Sequence, residues 1–206
     1  MRWWARTRAL WAVCTAVGAV VVITLLFPVA EFYAPSVFAD RLVARTPLVN
    51  VISIAPAIVW QWGVRRGHDS QHPLAARGWA VRLLDIAVGA GIALVLVLLG
   101  LALPGTALLA LALPAAGGVG IALVVSVLAP AAAPIAPTVV LGVLVLTGYW
   151  GTDPSPQGWA FLLRRPEDSG VPLIDLGVLA LGLVVKALEW AGARTGLAWA
   201  HRGGWS

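Results

Sequence analysis

Charge is scarce in this chain. Of 206 residues only 11% are Asp, Glu, Lys or Arg, against about 25% in an average soluble domain. Nine acids and 14 bases cannot clothe a water-soluble fold of this length, so much of the surface must face lipid. Cysteine is nearly absent. Cys14 stands alone inside the first apolar run, which excludes an intrachain disulfide framework and a cysteine-rich metal centre. There is no GxxxxGK[ST] phosphate loop, no GxSxG elbow and no HExxH pair, and Gly117-Gly118-Val119-Gly120 lacks the lysine a phosphate loop requires. With only three histidines and no catalytic constellation, neither an enzymatic activity nor a cofactor is expected.

What the chain has is apolar length. The apolar fraction is 60% and the mean hydropathy is +0.91. The apolar residues gather in runs of about 20, the length a membrane-crossing helix needs. Barrel strands would be about 10 residues long and alternate apolar with polar side chains, and no such alternation occurs. The prediction is an all-α fold: a polytopic transmembrane helical bundle of about six spans, forming a single domain over residues 1–206. The spans are expected near 9–29, 47–63, 79–103, 107–128, 132–150 and 172–190.

Three runs carry irregularities. The first exceeds the 7–15 apolar residues of a signal peptide, so it is expected to be retained, although Val37-Phe38-Ala39 resembles a cleavage site. Pro114 and the Gly117/Gly118/Gly120 cluster predict a kink or break in the fourth. The fifth opens with Pro134 and Pro137. The stretch 107–150 therefore reads either as two crossings or as a re-entrant hairpin.

Charge placement sets the orientation. With a cytoplasmic N-terminus, six spans return the C-terminus to the cytoplasm. The inner segments then hold Arg2, Arg6, Arg8, Arg65, Arg66, Arg77, Arg82, Arg194 and Arg202, whereas the outer ones hold Arg41, Arg45, Arg164 and Arg165 beside Glu31, Asp40, Asp153, Glu167 and Asp168. This positive-inside bias accounts for the basic pI near 10.7 without a nucleic-acid partner. Trp3, Trp4, Trp62, Trp79, Trp150 and Trp190 fall near span ends, as an interfacial aromatic belt requires. The Ala, Val, Leu, Gly and Arg bias, with one lysine, fits a high-GC bacterial genome, and the expected location is the bacterial plasma membrane.

Few side chains offer chemistry. In His68-Asp69-Ser70-Gln71-His72 the two histidines stand four apart, the helical spacing of a zinc-gripping pair, but Pro73 follows and no third ligand is evident, so a solvated loop is the better reading. Asp85, Asp175, Lys186 and Glu189 are the ionisable groups nearest hydrocarbon, where charge is costly and often functional. Arg82 with Asp85, and Lys186 with Glu189, stand three apart and can neutralise each other, and Lys186 can snorkel. Asp175 is placed one turn inside the outer end of the last span. No series of acids crosses the middle of the membrane, which argues against a proton-driven pump built from this chain alone. The outer stretch Gly151 to Val171 contains Trp159-Ala160-Phe161-Leu162-Leu163 followed by Arg164 and Arg165. It reads either as a short interfacial helix or as a plain loop.

The six runs, the long inner connection Arg65 to Arg82 and the long outer connection Gly151 to Val171 together resemble the membrane subunit of an ABC-2-type (type V) ABC transporter. The RTRALWAV start and the HPLAARGWAVRLLD entry to the third run are similar to small permease-like proteins of actinobacteria that work with separate ATPases. The resemblance covers nearly the whole chain as layout. It departs from the family in leaving little room for an amphipathic helix before the first span and in the prolines between the fourth and fifth. It implies movement of a substrate between two such subunits, as a homo- or heterodimer, driven by a separate ATP-binding subunit. Arg65, Arg66, Asp69, Arg77 and Arg82 would then be partner contacts on the inner loop. The competing class is a non-transporting membrane accessory or assembly protein.

Overall fold

The structure, a computed structural model, describes residues 10–37, 43–69, 78–102, 107–149, 156–157, 159–163 and 171–194, some helical and strand residues by backbone alone. It is predominantly helical. In chain order the elements are α1 (Leu10–Leu26), β1 (Glu31–Pro35), β2 (Val43–Pro47), α2 (Leu48–Ile52), α3 (Ala55–Asp69), α4 (Gly78–Ala102), α5 (Ala107–Leu128), α6 (Ala136–Thr147), a 3-10 turn at Phe161–Leu163 and α7 (Val171–Arg194). Two helical stretches are long and apolar enough to cross a membrane: Leu48–Arg66, which joins α2 to α3, and Leu109–Leu128 in α5.

α5 is the axis of the bundle. Every residue from Leu111 to Gly120 is buried. A helix apolar on all sides needs neighbours or lipid on all sides, and α5 finds them in α4, α7, α2, α3, α6 and α1. Leu111, Ala115, Val119 and Leu123 meet Val13 and Val20 of α1, Trp60 of α3 and Ile92 and Leu96 of α4 in one apolar cluster. The helix runs unbroken through Pro114, so the break expected as one alternative there does not occur. Proline removes one N–H from the ladder, but the residues around it are packed on every side, and this packing holds the helical path.

The glycine cluster has a different purpose from the break it suggested. It brings backbones together. A Cβ at Gly120 would lie 2.5 Å from the Val178 carbonyl oxygen, and one at Gly182 would lie 2.6 Å from the Gly120 carbonyl oxygen and 3.0 Å from Leu123 Cβ. Gly117 faces Asp175, and Gly118 faces Ile54. Positions along α5 rise with positions along α7 in these contacts, so the two helices run parallel. Small residues at such a crossing let backbones approach within van der Waals contact.

The bundle has two ends, each defined by contacts. At one end Arg65 Nη1 donates to Ala131 O at 3.0 Å, joining the end of α3 to the turn between α5 and α6. At the other a two-stranded antiparallel hairpin pairs Glu31 with Pro47 and Pro35 with Val43. Val37 N–H donates to Leu146 O at 2.8 Å, and Ser36 Oγ donates to the same carbonyl at 3.3 Å. Helical periodicity in the flanking runs gave no sign of this hairpin. Between the turn at Ala131 and the hairpin at Leu146 the chain travels from one end to the other, although α6 itself has 12 residues, about 18 Å of helix.

The outward faces are apolar. Leu25, Leu26, Leu94, Leu98, Val139, Val143, Leu181, Val184 and Leu188 are exposed along α1, α4, α6 and α7.

Gly120→Val forces a branched side chain onto the α7 backbone and should cost about 1–3 kcal/mol, read as a lower thermal unfolding midpoint in detergent. Gly142→Ala, with nothing within 4 Å of the new methyl, should leave that midpoint unchanged or slightly raised.

Candidate functional site

The described residue that physical chemistry singles out is Asp175. Its side chain is 0% exposed, and neither carboxyl oxygen has a hydrogen-bond partner among the described residues. Thr24 Oγ1 and Trp60 Nε1 are also buried without partners, but these are neutral groups. A carboxyl group removed from water without a partner is the more costly case, so this position carries a constraint that packing alone does not explain.

Three elements build the pocket. Asp175 lies one turn into α7, and the parallel stagger of α7 against α5 carries it to Gly117. A Cβ at Gly117 would stand 2.6 Å from Asp175 Oδ1 and 2.9 Å from Leu162 Cδ2, so the missing side chain is the space in which the carboxyl sits. Gly117 is the eleventh of the 22 residues of α5, about 15 Å from the start of that helix. The sequence reading placed Asp175 shallow, one turn inside the end of its own helix. The structure sets it beside the middle of the neighbouring one, because α7 starts well along the length of α5.

The third element is the segment around the 3-10 turn. Ala160, Leu162 and Leu163 are buried, whereas Trp159 faces outward. Gln157 N–H donates to Gly148 O at 2.7 Å, and the turn closes through Ala160 N–H to Gln157 O and Leu163 N–H to Ala160 O, both 2.9 Å. Leu162 and Leu163 pack with Ile54, Leu141, Leu144 and Tyr149 in a second apolar cluster. Within the stretch expected either as an interfacial helix or as a plain loop, the described residues Ala160, Leu162 and Leu163 are thus tucked into the bundle, with Leu162 meeting Asp175 at Gly117.

Tyr149 anchors this end. Its hydroxyl lies 3.4 Å from Thr46 Oγ1, linking the hairpin to the chain after α6.

The remaining predicted residues are scattered. Arg65 is exposed and engaged with Ala131 O, so it staples two connections together. Arg66 is exposed, its guanidinium carbon 5.4 Å from the centre of the Trp62 ring, a cation–π distance. Lys186 Nζ lies 2.6 Å from Glu189 Oε2, both partly buried. Asp69 closes α3, and Arg82 and Asp85 fall in the first turns of α4, but their side chains lie outside the described ones. Arg77, and His72 of the histidine pair, lie outside the described residues altogether. Among the described residues no three His, Cys, Asp or Glu side chains gather as a metal site would need. The fold and site thus define a predominantly helical bundle with two helical stretches of membrane-crossing length and a buried acid beside Gly117, without a hydrogen-bond partner among the described residues. No protein-family model matches the chain, and neither a curated protein nor a solved structure is similar to it.

Tyr149→Phe should destabilise the hairpin end by about 1 kcal/mol, the scale of one hydrogen bond. Thermal unfolding in detergent should give Tyr149→Phe the lower midpoint.

Proposed function

We propose that the chain is a multi-pass protein of the bacterial plasma membrane, with both termini cytoplasmic, acting as the permease-like subunit of a transporter powered by a separate ATPase. The observation that carries this reading is the pairing of an apolar exterior with a buried acid. Leucine and valine line the outward faces of α1, α4, α6 and α7, a surface suited to lipid and far too apolar for water. An ionisable side chain buried beside Gly117 of α5 is costly in such a bundle, and costly groups in membranes mark pathways for substrates or ions.

The two ends support the orientation. Arg65 and Arg66 are exposed at the α3 end, beside the uncharged turn that follows α5. Since α7 runs parallel to α5, Lys186 and Glu189 fall toward this same end. Facing it toward the cytoplasm satisfies the positive-inside rule and puts the hairpin on the outer side. The connection from Arg65 to Arg82 then enters the cytoplasm, where an ATPase would meet it. A second reading, a non-transporting membrane accessory protein, draws on the continuous burial of Leu111 to Gly120, which leaves that stretch of α5 no water-facing side.

Extraction in mild detergent and affinity recovery of the full chain from its native host should co-purify an ATP-binding protein. Arg66→Glu combined with Arg77→Glu should reduce its recovery by about tenfold, the effect of roughly 1.4 kcal/mol of lost contact. A folded chain that returns without any nucleotide-binding partner refutes the transporter reading in favour of the accessory one. Fluorescence of a green fluorescent protein fused after Ser206 reports a cytoplasmic C-terminus; a dark fusion on a chain that is produced and inserted refutes the orientation.

A further inference from the structure

Asp175 is fully buried and unbonded among the described residues. From α5 the facing residue is Gly117, and the helix has no ionisable residue between Ala107 and Leu128. The 3-10 turn brings Phe161 and Leu162, both apolar, to the same glycine, and α4, also packed against α7, has its ionisable residues Arg82 and Asp85 in its first turns. On α7 itself the next ionisable residue is Lys186, eleven positions on and already paired to Glu189. None of the described residues bonds the carboxyl, and beside it at Gly117 lies the Trp159–Leu163 segment. That segment is not part of a long helix. It is a single 3-10 turn resting on leucine packing and tied to the end of α6 through Gln157 and Gly148.

We propose that Asp175 is an occluded exchange site for one proton, with the Trp159–Leu163 segment as its cover. Beneath the cover the side chain is the neutral acid, the one form that an apolar pocket without partners accommodates at low cost. When the segment lifts from Gly117, water reaches the carboxyl, the proton leaves to it and the aspartate stands ionised; reprotonation lets the cover close. The glycine at position 117 keeps the cover seated, since any side chain there would displace Leu162 or the carboxyl.

The inference takes its apolar surroundings from the multi-pass reading but does not need an ATPase, and its test works on the purified chain alone. The probe is dicyclohexylcarbodiimide, an apolar reagent that attacks protonated carboxyls. The acid O–H adds across one C=N bond and the O-acylisourea rearranges to a stable N-acylurea, with no leaving group. Peptide mapping by mass spectrometry should find the adduct on Asp175 at neutral pH, with labelling falling as pH rises, and Asp175→Asn should abolish it. The cover is read separately. In a Cys14→Ser background, Leu162→Cys should react with N-ethylmaleimide at alkaline pH at least about tenfold faster than the same cysteine combined with Asp175→Asn, a ratio worth about 1.4 kcal/mol. The comparison at one pH cancels the intrinsic thiol titration. Absence of the Asp175 adduct at every pH in a folded chain overturns the proposal, as does equal cysteine reactivity in the two backgrounds. Protection of Asp175 by sodium chloride, and not by equal choline chloride, also overturns it by assigning the site to a metal cation.

Discussion

The approach of α5 to α7 is the constraint on which the other positions depend. Gly120 and Gly182 bring the two backbones together without intervening side chains. Once they touch, the stagger of the pair is set, and with it the level at which Asp175 meets α5. A larger residue at either glycine would separate the helices and open the pocket at Gly117. In an apolar medium burial of leucine against leucine gives little preference for one packing over another, because lipid is equally apolar. Close fit supplies that preference instead, and here three glycines of α5 face three different neighbours, Gly117 the Asp175 pocket, Gly118 Ile54 and Gly120 α7.

Much of the architecture was legible because apolar length is a strong signal. The runs near 9–29, 79–103, 107–128 and 172–190 correspond to α1, α4, α5 and α7 within a few residues, and the run near 47–63 to α2 with α3. What could not be read was depth. Counting residues from the end of a run places Asp175 near the edge, since stagger between helices leaves no mark on one helix's own sequence. The glycine cluster, with Pro114 beside it, was read as a kink or break; in the structure its glycines take up close contacts with Asp175, Ile54 and the α7 backbone.

The short elements were least legible. A hairpin between Glu31 and Pro47 shows no clear alternation, because it is held by contacts to Leu146 and Tyr149 more than a hundred residues away. The Trp159–Leu163 stretch has the composition of an interfacial helix, yet its leucines find a better partner in the cluster with Leu141 and Leu144. Of the five residues read as contacts for another protein, Arg65 and Arg66 are exposed; the Arg65 guanidinium also holds a carbonyl of its own chain, and that of Arg66 lies over Trp62.

The clamp between the hairpin and the end of α6 bears on the order in which the chain assembles. Ser36 and Leu146 are 110 residues apart, so the first third of the protein must emerge, enter its surroundings and wait while three further helices are synthesised. During that interval Ser36 and Thr46 lack their final partners, and the loop to be closed is long. Contacts between neighbours in sequence close shorter loops at lower entropic cost, whereas the clamp waits on a loop of 110 residues. The hairpin end thus stays unfastened until Leu146 and Tyr149 have been made.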